Sequence, residues 1–256
     1  MPAKSPPEPG SFFHADRHTA DEQLLDHDYT AGAVILLDKP GGWSSFRLVG
    51  LTRRLIGIKK VGHAGTLDPM ATGLLVLCTG KATKSVSAVQ DGIKVYEARV
   101  QFGASTPSYD AETEPDATSS FSHITHHAVA AKLKECFTGE IQQVPPMYSA
   151  IKIKGQRLYK LARKGLEVER SLRTVVIHKI ELSSYDASAG EAELEITCSK
   201  GTYIRSLAHD LGLALGSRAH LTALRRTQIG PYSVERALTA TELVSRFKAD
   251  DVIDLS

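Results

Sequence analysis

The sequence is poor in the features that mark membrane, secreted and metal-dependent proteins. None of its apolar runs approaches the roughly 20 residues that a bilayer-spanning helix needs, so no membrane association is expected. Its start, MPAKSPPEPGSFFHADRH, has no apolar stretch followed by a small-residue cleavage site, and no secretory leader is expected from it. Cys78, Cys136 and Cys198 are scattered, which argues against a disulfide framework and for a reducing, cytoplasmic setting. His123, His126 and His127 lie near Cys136 but lack the paired spacing of a zinc site, so no metal is expected. There is no P-loop, no GxGxxG and no defensible Ser-His-Asp order. What is present is a 256-residue chain with 42% hydrophobic residues, enough for one large packed domain or two small ones.

The net charge of +2 says little, whereas its distribution says more. Bases dominate from Ala31 to Lys84, from Lys152 to Arg173 and from Lys200 to Arg226, while acids gather at 16–28 and 110–116. Such blocks suit a cationic face for phosphates, or a set of solvated helix faces; charge alone leaves both open.

Residues 1–30 read as a flexible extension with Leu24-Leu25 as its one docking candidate, and AVILLDKP (33–40) as a buried strand ending in a turn. Ser44 or Ser45 can cap a helix toward Ile56 with Phe46, Val49 and Ile56 inward; 57–68 reads as loop and 74–78 as a strand. Alternation over 94–102 places Tyr96, Ala98, Val100 and Phe102 on one strand face. A connection (107–120), a helix (126–137), a long excursion with a short helix near Leu158, and strands at 172–182 and 192–199 follow. Helical spacing spans 202–215, a helical turn is expected at 220–226, and a short helix at 239–247. The order favours an α+β fold around a mixed sheet.

VGHAGTLDPMATG (61–73) concentrates special residues. Glycines permit unusual backbone angles, and Pro69 holds Asp68 away from helical geometry. Such a loop can present one carboxylate rigidly as a nucleophile or base; it can equally be an Asp-Pro turn. In CSKGTYIRSLAHDLG (198–212) a strand ends, Thr202 can cap a helix, and Tyr203 and Arg205 fall near its start. A cation there opposes the helix dipole, and a buried carboxylate, with Asp68 the candidate, would offset that cost. Tyr96 is a core tyrosine or a base-stacking ring, His63 a general base, stacking group or plain loop residue, and Lys39 a phosphate contact or turn residue. In 142–165, Tyr148 and Tyr159 interleave with Lys152, Lys154, Arg157, Lys160, Arg163 and Lys164 behind Pro145-Pro146, a pattern suited to RNA.

Taken in order, GAVILLDKPGGWSSF, KVGHAGTLDPMATGLLVLCTGKATK, KVYEARVQFGAST, VPPMYSAIKIKGQRLYKLARKG and CSKGTYIRSLAHDLG resemble the motif series of the TruB-type tRNA pseudouridine-55 synthases, from about Gly32 to Val234. The resemblance implies a pseudouridine-synthase fold, a largely antiparallel mixed sheet flanked by helices with an RNA-gripping insertion at about 139–170. It implies a catalytic domain over 31–238 and a short C-terminal segment, 239–256, in place of the C-terminal RNA-binding domain common in the family. The implied activity is a cofactor-free isomerisation of uridine 55 in the T-loop of tRNA, by base flipping and an aspartate matching Asp68. Tyr96 would pack on the base, Arg205 pair with Asp68 beside Tyr203, and His63 hold the opened loop. Lys39, Tyr148, Lys152, Lys154, Arg157 and Arg163 would bind substrate, no metal is implied, and the chain is expected to act as a monomer. The usual TxTxDxxG appears as SerThrProSerTyrAspAlaGlu (105–112). A tRNA-folding role, or membership of the guide-RNA-dependent branch, are the rival expectations.

Overall fold

The computed structural model describes residues 9–149, 151–153, 155–162, 165–166 and 168–248. By internal contacts the chain forms two compact units, residues 1–94 with 225–256 and residues 95–224. The chain passes between them inside two strands, Lys94–Phe102 and Ala219–Ile229.

The first unit is built on Ala33–Lys39 and Thr72–Thr79, paired antiparallel with Val34 opposite Cys78 and Lys39 opposite Gly73. Both strands are continuous apolar runs because both faces are covered. Ile35, Leu37, Leu75 and Leu77 enter one core cluster with Leu48, Val49 and Leu51 of the helix Ser45–Ile56 and Leu243 and Val244 of the helix Ala240–Arg246. Val34, Leu36, Leu74, Val76 and Cys78 enter another with Val89, Ile229 and Tyr232. Val61–His63 adds antiparallel to Thr72–Thr79, inside the stretch expected to be loop. The last residues of Ala219–Ile229 add in parallel, with Arg226 opposite Gly73.

In the second unit the hydrogen-bonded order runs Ala219–Ile229, Lys94–Phe102, Glu191–Cys198, Arg173–Asp186, Gly139–Gln143. Arg173–Asp186 runs antiparallel to both of its neighbours, Glu191–Cys198 and Gly139–Gln143. Tyr96, Ala98, Val100 and Phe102 are all buried, as the alternation predicts. The helix Ile204–Ala214 buries Ile204, Leu207, Ala208 and Leu211, and His126–Cys136 starts at a capping Thr125. With both units counted, the fold is α+β with mixed sheet.

Several expectations are corrected. The extension is ordered from Pro9 within the described residues: Phe13–Ala15 pairs in parallel with Ala33–Ile35, Leu24 and Tyr29 are buried, and the Tyr29 hydroxyl donates to the Leu24 carbonyl at 2.9 Å. Its few apolar residues are too irregularly spaced to show a period, yet Ala15, Leu24 and Tyr29 enter the core while Leu25 stays exposed. The helical turn expected at 220–226 is part of the strand Ala219–Ile229, whose alternation is masked by a charged residue, Arg226, at an inward position. Phe46 is two-thirds exposed, not core, because capping by Ser44 turns the next residue but one outward. Thr202 does not cap the second-unit helix; its hydroxyl donates to the Ser199 carbonyl, and Tyr203 is the N-cap residue.

Candidate active site

The GTLDP loop of the first unit is held along its whole length. The Ala64 N–H donates to the Val76 carbonyl, and Gly65 takes a left-handed φ of 99° that turns the chain away from the strand. Leu67 is buried and clamped in both directions by one side chain. Its N–H donates to the Ser45 hydroxyl at 2.9 Å, and that hydroxyl donates to the Leu67 carbonyl at 3.0 Å. The Ala71 N–H donates to the Asp68 carbonyl, closing a turn through Pro69, and the Gly42 N–H donates to the Pro69 carbonyl. Asp68 is thus a half-buried carboxylate on backbone fixed immediately before and after it.

Lys39 takes part in this fixing. It is fully buried, and its ammonium donates to the carbonyls of Pro40 (2.9 Å), Trp43 (2.6 Å) and Pro69 (3.0 Å). His63 lies at the start of the same loop. Burial, aided by the charge of Arg226, holds it below the ordinary histidine range, and its Nδ1 finds no hydrogen-bond partner among the described residues. It is therefore a neutral ring with one polar atom in reserve. Arg47 stacks on Trp43 at 3.8 Å, and Arg53 lies 5.6 Å over the exposed Phe46. This basic–aromatic edge went unseen in the sequence because Phe46 fitted a core spacing.

In the second unit Tyr96 is buried on its strand. Arg205 is 3% exposed; Nη1 donates to the Ser108 carbonyl at 3.0 Å and Nη2 to the Tyr148 carbonyl at 2.8 Å. Asp110, equally buried, lies 3.4 Å from Nη1. The Asp110 carboxylate also accepts from the Ser108 hydroxyl and the Glu112 N–H. The dipole argument named Asp68 as the candidate carboxylate for this helix start; within the unit, the acid that stands against Arg205 is Asp110. It lies in the 105–112 segment noted as divergent, where Tyr109 takes a positive φ of 63° and stacks on His209 at 3.9 Å. No sequence signal named Asp110, since an acid among acids in a connection looks like a solvated one.

Tyr203 exchanges two hydrogen bonds with Gln143: its N–H donates to the Gln143 amide oxygen at 3.0 Å, and the amide nitrogen donates to its carbonyl at 3.2 Å. The Ser206 hydroxyl donates to the Val144 carbonyl. The helix start is thereby tied to the beginning of the 142–165 block, whose Pro145, Pro146 and Met147 are buried. Within this unit Arg205, Tyr203 and Tyr148 converge. The backbone of Lys152 and Arg157 lies in a short antiparallel strand pair; Lys154 and Arg163 lie outside the described residues. Among the described residues no cluster of three or more His, Cys, Asp or Glu is arranged to hold a metal, and no helix is long and apolar enough to cross a membrane.

Comparison with known proteins gives this geometry its setting. Residues 53–204 match the TruB family pseudouridylate synthase N-terminal domain, and residues 205–254 match the tRNA pseudouridylate synthase B C-terminal domain. The chain is 48% identical over 231 residues to tRNA pseudouridine synthase B of Bacteroides fragilis, covering 88% of this chain and 98% of that protein. It is 48% identical over 223 residues to tRNA pseudouridine synthase B of Thermobifida fusca, covering 85% and 76%. Among solved structures, a Cbf5-Nop10-Gar1 complex matches with a TM-score of 0.67 at 30% identity. That match covers 98% of this chain and 64% of the solved one, so here the chain spans a little under two thirds of its counterpart. An aspartate loop fixed on both sides, a buried arginine at a helix start and these matches lead to one assignment: the chain belongs to the TruB family of pseudouridylate synthases.

Proposed function

We propose that this chain isomerises uridine 55 in the T-loop of tRNA to pseudouridine, with Asp68 as the group that acts on the ribose–base linkage. The observation that carries the reading is the fixed presentation of Asp68, clamped through Leu67 and Pro69 so that its carboxylate is aimed without reorganisation. The reaction breaks N1–C1′, turns the base and joins C5 to C1′; the C5 proton leaves and N1 gains one. All atoms of the uridine are conserved apart from that proton exchange, so no oxidant, group acceptor or metal enters the balance.

The target base sits in a folded loop and must be flipped out, at a cost of about a few kcal/mol that RNA contacts offset. Tyr96 packs on the base and assists loss of the C5 proton. Arg205 is the cationic partner that the resemblance implies for the reacting aspartate, Tyr203 lines the site, and neutral His63 offers Nδ1 to the opened loop. Tyr148, Lys152, Lys154, Arg157 and Arg163 grip the T-arm, joined by the exposed Phe46–Arg47 edge. In this reading residues 31–238 form the catalytic domain, and the protein works as a cytoplasmic monomer on the T-arm of free tRNA.

The test is tritium release from tRNA labelled at uridine C5, followed by mapping of the modified position. Purified wild-type chain should release tritium from naked tRNA, and the product should map to position 55. Asp68→Asn should abolish release while tRNA binding is retained, since charge is removed and bulk is not. No release by the wild type sinks the enzymatic reading; release that maps elsewhere sinks the choice of uridine.

A further inference from the structure

Arg226 heads the fully buried side chains by size among the described residues, yet the sequence counted it with the surface bases. It forms no ion pair among the described residues, and a guanidinium cannot shed its proton. An unpaired buried cation is costly, and an apolar side chain would fill the same volume without that cost. What a guanidinium adds is a rigid plane of donors, and both donors used here meet the Asp68 loop. Nε donates to the Leu74 carbonyl at 2.9 Å, and Nη2 donates to the Gly65 carbonyl at 3.0 Å. Gly65 opens the loop and Leu74 lies where it has rejoined the strand Thr72–Thr79; Asp68 lies between them.

The backbone is shaped to admit this side chain. Arg226 pairs in parallel with Gly73, and Gly73 has a φ of 97°. A Cβ at Gly73 would overlap the Arg226 carbonyl oxygen and lie 2.8 Å from its nitrogen, so the two chains can approach only through a glycine. The neighbouring Arg225 takes the other side of the strand, where it holds Asp38 with two hydrogen bonds of 3.1 and 2.7 Å.

We propose that Arg226 is a positioning residue for catalysis: one guanidinium sets the span from Gly65 to Leu74 and thereby the direction in which Asp68 presents its carboxylate. The proposal rests on the reading of Asp68 as the reacting group. It also gives Arg226 a second effect, on His63, whose ring it helps to keep neutral beside the same loop.

Arg226→Lys keeps the charge but offers a point donor that satisfies one carbonyl at a time. Arg226→Met removes charge and donors while filling the space. For both, thermal melting, tRNA affinity and single-turnover tritium release at saturating tRNA are measured against wild type. A loosened span should slow the chemical step by about 10- to 100-fold in each folded variant, with tRNA affinity within about twofold. In Arg226→Met, the His63 ring should also titrate at higher pH than in wild type, read by histidine proton resonances. A purely structural role would not move the ratio of rate to affinity, whereas the His63 titration reports only the loss of the Arg226 charge. A folded variant with a near-wild-type rate overturns the proposal, as do parallel losses of rate and affinity. If neither variant folds, Arg226 holds the unit and not the loop, which also overturns it. An inactive wild type sinks the reading of Asp68 itself and is recognised without any variant.

Discussion

Removing one hydroxyl, in Ser45→Ala, should uncouple the Asp68 loop from the helix that supports it. Ser45 Oγ accepts from the Leu67 N–H at 2.9 Å and donates to the Leu67 carbonyl at 3.0 Å, and the residue is 3% exposed. Alanine leaves two buried backbone groups without those partners. Each unsatisfied buried group costs about 1–3 kcal/mol, so the variant should lose about 2–6 kcal/mol, with the lower end expected if water reaches the gap. Leu67 directly precedes Asp68, so the same loss frees the carboxylate, and misplacement of about 1 Å is worth roughly 100-fold in rate. Urea unfolding measures the first effect through the midpoint at constant slope, and single-turnover tritium release measures the second. Ser45→Thr retains the hydroxyl and should recover part of both if its methyl is accommodated. A Ser45→Ala variant within about 0.5 kcal/mol of wild type in stability, and within twofold in rate, would refute the clamp.

Two further outcomes follow from the same unit-level geometry. Gly73→Ala combines a left-handed φ with overlap against the Arg226 backbone, which no rotamer change can relieve, so a loss of at least about 2–3 kcal/mol is expected in urea unfolding; a loss under about 1 kcal/mol would contradict the close approach. Burial pushes the Asp210 carboxyl up to about 6 from an ordinary 3.8, so between those values the folded chain keeps a proton that the unfolded chain has lost. Its contribution therefore falls as pH rises through that window, and Asp210→Asn should melt higher than wild type at pH 7 but not at pH about 4. His63 and His209, both held low chiefly by burial, act in the opposite sense: their contribution is intact above the ordinary histidine value of 6.5 and is lost as pH falls below it through their lowered folded values. An Asp210→Asn variant with an unchanged pH profile of melting would refute the burial of that carboxyl.

Much of the fold was readable where one period dominated. The apolar runs 33–39 and 72–79, the alternation from Tyr96 to Phe102 and the spacing of Ile204, Leu207, Ala208 and Leu211 all reflect which faces meet a core, and hydrophobicity records that locally. The strand Ala219–Ile229 was not readable, because Arg226 breaks the hydrophobic alternation at an inward position. The N-terminal segment was not readable either, since Leu24 and Tyr29 are buried singly against a sheet formed elsewhere in the chain.

For the GTLDP segment, sequence alone determined a stiff turn with one carboxylate, because glycine and proline act on the backbone of their immediate neighbours. It also placed Arg205 at a helix start, where a cation opposes the dipole and a solvated position or a buried anion are the alternatives. Only tertiary structure decided which groups meet these demands. Ser45 and Lys39 hold Leu67 and Pro69, Asp110 stands against Arg205, and Arg226 bridges Gly65 and Leu74. Each of these partners lies distant in the chain from the group it holds, apart from the acids and bases around it that look the same in composition. Burial and hydrogen-bond direction distinguish a lysine spent on carbonyls from one free for phosphate, and neither quantity exists before the chain has folded.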